Sequence, residues 1–345
     1  MTMYHDYAGV IHIHSTYSDG LKKIPDIIQA ANEAGCNYMI LSDHDTLKGL
    51  SKEGWYNNTI LLVGEEITIG EDEGHYLAMG FESEIAPHNR PQETIDEVKK
   101  QGGIGFIAHP YNKSYFDDFN ITSVKWNDWN VIGFNGIEIW NYSHDWIDNF
   151  TPLNFLIGLS WPDNFIDGPL SKTLKKWDEL LRYQKIIGIG SVDAHGYFYS
   201  YKKMFETLHT HLLLEKTLTF QSAFFKKDKS LVYEALKKGN CYLSYDYLAN
   251  AAGFMYSAKN MQKEVIMGDE LNIRTGVVLT ISTPEPALLK VIKDGQIIAE
   301  KNNTKLLVKK INEPGAYRAE VYLKAFRGFN LKYRPWIFSN PIYIY

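Results

Sequence analysis

The chain has 345 residues, 45% of them apolar, with a formal charge of −5 and two cysteines. That length suits one large α/β barrel plus a small appended domain, or two domains of middling size. The charge argues against the broad phosphate-backbone footprint that long duplex nucleic acid demands, and no apolar run is long enough to cross a bilayer. From the N-terminus, short apolar runs alternate with amphipathic stretches. Strands are predicted at 9–14, 38–42, 60–64, 104–109, 136–140, 186–191 and 211–214, nearly continuous in apolar character, as parallel strands covered on both faces are. Helices are predicted at 25–34, 92–101, 170–183 and 230–238. Pro25 and Pro91 suit first turns, and Gly35, Gly102 and Gly239 suit the position just past a helix end.

From about residue 250 the texture changes. Short strands at 277–282, 289–293, 296–300, 306–308, 316–323 and 342–345 are punctuated by Asp294-Gly295, Asn302-Asn303 and Pro314-Gly315. That spacing predicts a small antiparallel, Ig-like sandwich over 251–345 behind a barrel over 1–250. The opening Met1-Thr2-Met3-Tyr4-His5-Asp6 has no basic segment followed by an apolar core. With Cys36 and Cys241 far apart in sequence, the expectation is a reduced, cytoplasmic chain with both thiols buried.

Six of the eleven histidines sit at the ends of apolar runs, most with carboxylates close by. They lie in His12-Ile13-His14, followed by Asp19-Gly20; in Asp43-His44-Asp45; in Gly74-His75, after Gly64-Glu65-Glu66; in Ala108-His109-Pro110; and in Asp193-Ala194-His195. Neutral imidazole and carboxylate suit Zn, Mn and Fe, and one ion would not use so many, so a multinuclear hydrolytic site is expected. In a strand, His12 and His14 would share one face. Strand alternation lets only one of Glu65 and Glu66 face the metals. Ligands placed at the ends of at least five strands favour a closed barrel, which gathers strand ends around one mouth, over an open sheet.

In these motifs and their order, over roughly residues 8–200, the chain resembles the polymerase-and-histidinol-phosphatase (PHP) metallohydrolase superfamily. The resemblance implies a distorted (β/α)7 barrel with a trinuclear centre of divalent Mn, Fe or Zn. By analogy His12, His14, Glu66 and Asp193 would hold the first ion, and Asp19, His44 and His195 the second. Glu66, His75 and His109 would hold the third, with Glu66 bridging. Some relatives carry histidine where this chain has Asp19. The ending Pro335-Trp336-Ile337-Phe338-Ser339-Asn340-Pro341-Ile342-Tyr343 is similar to a carbaryl-hydrolase-like branch with a C-terminal β-sandwich; alternatively, Trp336 and Tyr343 simply anchor the sandwich to the barrel.

The implied activity is phosphatase or phosphodiesterase action on a small phosphorylated metabolite or nucleotide, through a metal-bridging hydroxide. Carbamate, ester or amide hydrolysis is the alternative, and a non-catalytic metal-binding interaction module a third. Glu66 and Asp193 carry the catalytic centre. Asp45, His144 and a bound water are open as leaving-group acid, and Asp43 is an orienter of imidazole. Glu138 is similar to an acidic position often seen in the family, shaping the rim or serving structure. His5, His88, His209 and His211 are expected in surface or core roles, without ligand-like partners. The aromatics Tyr111, Tyr115, Phe116, Trp126, Trp129, Trp140, Trp146 and Trp161 form either a local cluster or a wall that stacks a leaving group. Asn112, Lys113 and Arg182 are candidate anion contacts.

Overall fold

The computed structural model describes residues 3–70, 74–111, 125–149, 155–274 and 276–345. Ten strands and seven helices build the first part: β1 (His5–Ile11), α1 (Ile24–Glu33), β2 (Tyr38–Leu41), β3 (Gly54–Tyr56), β4 (Thr59–Ile69), β5 (Gly74–Met79), α2 (Pro91–Lys100), β6 (Ile104–Ile107), β7 (Gly136–Asn141), α3 (Tyr142–Asp148), α4 (Phe155–Ser160), α5 (Ser171–Leu181), β8 (Ile187–Ser191), α6 (Tyr201–Phe205), β9 (Leu208–Leu214), α7 (Phe225–Lys238) and β10 (Cys241–Tyr245). Pro25 and Pro91 lie in first turns, and Gly35, Gly102 and Gly239 take left-handed φ just past their helices. No helix among the described residues is long and apolar enough to cross a membrane.

Seven strands close a barrel. β1 pairs with β2, β2 with β4, β6 with β7 and β7 with β8, all in parallel. The ring returns to β1 through the parallel bridge of Ile13 with Ala194. β5 is the exception, antiparallel to both β4 and β6. The expected count of seven is met, but with a different member. β5 was not among the predicted strands. The predicted strand at 211–214 belongs to β9, which runs antiparallel beside the first half of β1 and carries the sheet on to β10. Reversal of β5 has a consequence for the site: its first residues, not its last, lie at the mouth where the parallel strands end.

The C-terminal region is an antiparallel β-strand region: β11 (Met255–Lys259), β12 (Glu264–Ile266), β13 (Glu270–Leu271), β14 (Val277–Lys293), β15 (Gln296–Ile311), β16 (Gly315–Arg327), β17 (Asn330–Ser339) and β18 (Ile342–Ile344). Only the short β13–β18 pair is parallel. Several expected short strands are fused. 277–282 and 289–293 are one strand with register shifts, and so are 296–300 and 306–308. Asp294-Gly295 makes the expected hairpin turn with both residues at positive φ. Asn302-Asn303 does not turn the chain; it lies inside β15, where Asn303 at φ 51° marks an irregularity.

The boundary expected at residue 250 is crossed by sheet pairing, since β10 continues antiparallel into β17. Side chains lock the same seam. Asn340 accepts from Gly188 N–H at 2.8 Å and donates to Gly188 and Cys241 carbonyls at 2.9 and 3.0 Å. Arg318 on β16 forks onto Asp178 of α5 through two 2.8 Å bonds. Trp336 is buried in the C-terminal core and donates to Ala249 O, whereas Tyr343 packs against the barrel core. Cys36 and Cys241 are both buried free thiols.

Candidate metal centre

Strand ends deliver nine side chains to one point at the barrel mouth. β1 ends at Ile11, and His12 turns the chain at φ 69°, so the period-two argument for His12 and His14 does not hold as stated. Hydrogen bonds from Val192, Ala194 and His14 N–H hold this segment to the end of β8 instead. Both rings nevertheless reach the same oxygen. Glu66 Oε2 lies 2.9 Å from His12 Nε2, 3.2 Å from His14 Nε2 and 3.4 Å from His44 Nδ1. Glu66 Oε1 lies 2.9 Å from His75 Nδ1 and 3.0 Å from His109 Nε2. His75 gets there because β5 runs backwards.

Asp193 gathers a second set. Its Oδ1 is 3.5 Å from the Nε2 atoms of His12 and His14 and 3.4 Å from His195 Nδ1. Its Oδ2 is 3.4 Å from His144 Nε2. Asp19, half-exposed on the following loop, brings its oxygens to 3.2 Å from His195 Nε2 and 3.6 Å from His14 Nδ1. Ligand atoms close enough for one ion occur in the groups His14/Asp19/His44/His195, His12/His14/Asp193, His12/Glu66/His109, His44/Glu66/His75 and His109/His144/Asp193. His144 thus joins the cluster, its ring stacked on His109 with centroids 4.3 Å apart.

Burial works to raise the carboxyls of Glu66 and Asp193, but the imidazoles around them, His12 foremost, hold both well below the usual carboxylate range. Glu65 faces the other way. Its Oε2 accepts from Ile85 N–H and burial pushes its carboxyl up to about 8.

The supports around the cluster are as specific as the cluster itself. Glu138 Oε1 takes His12 Nδ1 at 2.6 Å, while Oε2 accepts His109 N–H at 2.8 Å. It is a buried orienter beneath the rings, not a rim residue. Asn141, which sequence reasoning missed, caps α3 by accepting His144 N–H and donates to Asp193 Oδ2 at 3.1 Å. An Asn directly after a strand and before a helix was the available signal. Asp43 orders the loop rather than an imidazole, accepting from the N–H and hydroxyl groups of Ser15 and Ser18. Gly20 closes that loop where a Cβ would stand 2.2 Å from His14 O. Tyr201 OH donates to the carbonyls of His14 and His195.

Other expectations fare differently. Asp45 sits at φ 50° with Oδ1 accepting Thr68 N–H at 2.8 Å, a contact that ties a loop to β4. Arg182 is exposed and donates to Asp294 O on the β14–β15 turn. Asn112, Lys113, Tyr115 and Phe116 lie outside the described residues. Trp126 and Trp140 are core residues, Tyr111 stacks on Trp129, and Trp161 is exposed. Trp146 alone of the tryptophans lines a cavity of about 570 Å³ beside Asp193 and His195. His88 stays peripheral, 3.9 Å from Glu93. His209 and His211 do have carboxylate partners, Asp246 and Asp6, contrary to expectation.

Of the eight non-glycine residues described at positive φ, His12, Asp45, His109 and Asp193 all fall in or beside the centre. Concentration of backbone strain there is what a pre-organised site produces.

A barrel with one reversed strand and a buried imidazole–carboxylate cluster at its mouth defines a metallohydrolase-like α/β protein. Residues 11–202 match the PHP domain, and the chain belongs to that family. It is 27% identical over 169 residues to an uncharacterized protein of Methanocaldococcus jannaschii, covering 43% of this chain and 90% of that one. Among solved structures, it is similar to a two-domain protein from Bacteroides vulgatus described as containing a predicted PHP-like metal-dependent phosphoesterase. The TM-score is 0.45 at 15% identity, over 96% of this chain and 95% of that one. An amidohydrolase from Chromobacterium violaceum with bound sulfate matches at TM-score 0.37 and 12% identity, over 64% of this chain and 96% of that one.

Proposed function

We propose that this protein is a metal-dependent phosphoesterase, a phosphatase or phosphodiesterase acting on a small phosphorylated metabolite or nucleotide. One observation carries the metal requirement. Five imidazole nitrogens converge within 3.4 Å of the two oxygens of Glu66. A carboxylate has about four lone-pair sites, and His12 Nε2, His14 Nε2, His44 Nδ1 and His75 Nδ1 are buried with no hydrogen-bond partner. Cations between these atoms resolve the mismatch, so the donor set fits divalent Mn, Fe or Zn.

In this reading His12, His14, Glu66 and Asp193 hold one ion, Asp19, His44 and His195 a second, and Glu66, His75 and His109 a third. Bound ions there would acidify water and neutralise charge on a phosphoryl group. Glu138 and Asn141 orient His12 and Asp193. His144 becomes the proton donor to the leaving oxygen in preference to Asp45, because it lines the cavity beside Asp193 and His195 whereas Asp45 is bound to Thr68 N–H.

A second reading, hydrolysis of an aryl carbamate or ester, draws support from that cavity. Trp146, Phe198 and Tyr199 form its aromatic wall with ring centroids 4.9 and 5.4 Å apart. The hydroxyls of Ser143, Tyr197 and Tyr199 are all given to backbone carbonyls, so these walls offer ring faces rather than polar groups.

Loading the protein with Mn, Fe or Zn and assaying p-nitrophenyl phosphate, bis-p-nitrophenyl phosphate and a naphthyl carbamate separates the readings. Phosphoester turnover that chelator abolishes is the expected result. Carbamate turnover alone selects the second reading. No turnover by fully metallated protein returns the centre to a non-catalytic role.

A further inference from the structure

A second cluster of metal-ligating side chains lies apart from the barrel mouth and shares no residue with it. His209 and His211 alternate along β9 on the face that also carries Leu213, a member of the C-terminal core. Asp246 follows β10 directly and brings one oxygen to both rings: Oδ2 is 3.3 Å from His209 Nδ1 and 3.2 Å from His211 Nε2. Both histidines are buried and the Asp246 side chain is only 12% exposed.

We infer that His209 Nδ1, His211 Nε2 and Asp246 Oδ2 form a separate zinc site. Four features of the geometry carry it. First, His209 Nδ1 is buried and has no hydrogen-bond partner, although the Asp246 oxygen is within reach. His12, His14, His44 and His75 carry the same buried, unpartnered nitrogen at the main centre.

Second, the spacing fits. A tetrahedral ion with arms of about 2.0–2.1 Å separates its ligand atoms by about 3.3 Å, which matches the two separations here.

Third, the far side of each ligand is anchored, as ligating groups require. His211 Nδ1 is 2.7 Å from Asp6 Oδ1, and Asp6 Oδ2 in turn accepts from Tyr242 OH at 2.6 Å and Gly253 N–H at 3.1 Å. Asp246 Oδ1 accepts from Ser244 Oγ at 2.6 Å and Ala251 N–H at 3.3 Å. His209 Nε2 has the Cys36 thiol 4.0 Å away.

Fourth, a plain ion network explains only half of the cluster. A protonated His211 between Asp6 and Asp246 would satisfy that ring, whereas His209 Nδ1, 3.3 Å from Asp246 Oδ2, still makes no hydrogen bond. Two imidazoles and one carboxylate favour zinc over calcium or magnesium, which require more oxygen ligands. An ion here would pin β1, β9 and the segment after β10 together, holding the barrel wall against the C-terminal core. The inference is independent of the phosphoesterase reading.

The test uses the full chain equilibrated by dialysis against micromolar zinc, then crystallised and measured at the zinc absorption edge. An anomalous peak bounded by His209, His211 and Asp246 is expected. Elemental analysis of His209→Ala should show one zinc per chain fewer than wild type while zinc at the barrel mouth persists. Absence of the peak when the barrel mouth is loaded overturns the inference, as does an unchanged zinc count in His209→Ala. So does a peak that appears only at millimolar zinc. If His209→Ala fails to fold, the wild-type peak decides alone.

Discussion

Replacing Glu138 by Gln tests whether the rings of the metal centre are held by their supports or merely by the ions. Glu138 is fully buried and spends one oxygen on His12 Nδ1 at 2.6 Å and the other on His109 N–H at 2.8 Å, with Asn141 Nδ2 at 3.3 Å from the latter. An amide keeps one acceptor and gains a donor. Whichever way it flips, an N–H group faces either His12 or the His109 backbone. One buried donor left unsatisfied costs about 1–3 kcal/mol, and loss of an outer carboxylate typically lowers metal affinity or activity by about 10–100-fold. The two figures agree, since a tenfold change is about 1.4 kcal/mol. Competition against a chromophoric chelator should therefore show Glu138→Gln binding its tightest ions about 10–100-fold more weakly, with circular dichroism unchanged. Affinity within twofold of wild type in a folded variant would refute the orienting role of Glu138.

The other predictions address the centre, the proton donor and the seam. Glu66→Gln should lose ions from more than one position, because five imidazoles share its two oxygens; metal analysis showing full occupancy would contradict the bridging assignment. His144→Ala should slow hydrolysis of an alkyl phosphate by about 10²-fold or more while sparing p-nitrophenyl phosphate, whose leaving group needs no proton. Equal losses on both substrates would remove His144 as the acid. Asp178→Ala leaves Arg318 buried with Glu320 as its one ionic partner among the described residues, and breaking a buried pair costs about 3–5 kcal/mol. Urea unfolding should show a loss of that order, and a loss under 1 kcal/mol would mean that the α5–β16 clamp is immaterial.

Much of the centre is legible in the chain itself. His12, His14, Asp19, His44, Glu66, His75, His109, Asp193 and His195 are chemically distinctive residues at the ends of apolar runs, and the structure brings all of them together. Strand periodicity says without coordinates that only one of Glu65 and Glu66 faces the metals, since adjacent side chains on β4 must face opposite ways; that it is Glu66 follows from the structure. Strand direction is another matter. β5 is short and mixed in character, and nothing local in Gly74-His75-Tyr76-Leu77-Ala78-Met79 reports that it runs against its neighbours. The partners of the supporting residues are equally hidden, because Asn141 meets Asp193 and Asp43 meets Ser18 across 52 and 25 positions.

The long strands of the C-terminal region look like fragments in the sequence because bulged or polar positions interrupt their alternation while the backbone pairing runs on. The same limit explains His209 and His211. Their strand alternation is visible in the sequence, but the carboxylates that meet them are Asp6 on β1 and Asp246 just after β10.

Chemistry is written in the sequence and strand direction is not. Residue type and local period determined which side chains could serve a metal centre and that the first part alternates strand and helix, because both follow from covalent identity and short-range sterics. Only the tertiary structure decided which strand completes the seven-membered ring, how five imidazoles share the two oxygens of Glu66, and which carboxylate meets which histidine. Those depend on pairing between segments far apart in the chain, where the free energy of closure and burial, not local preference, selects the partner.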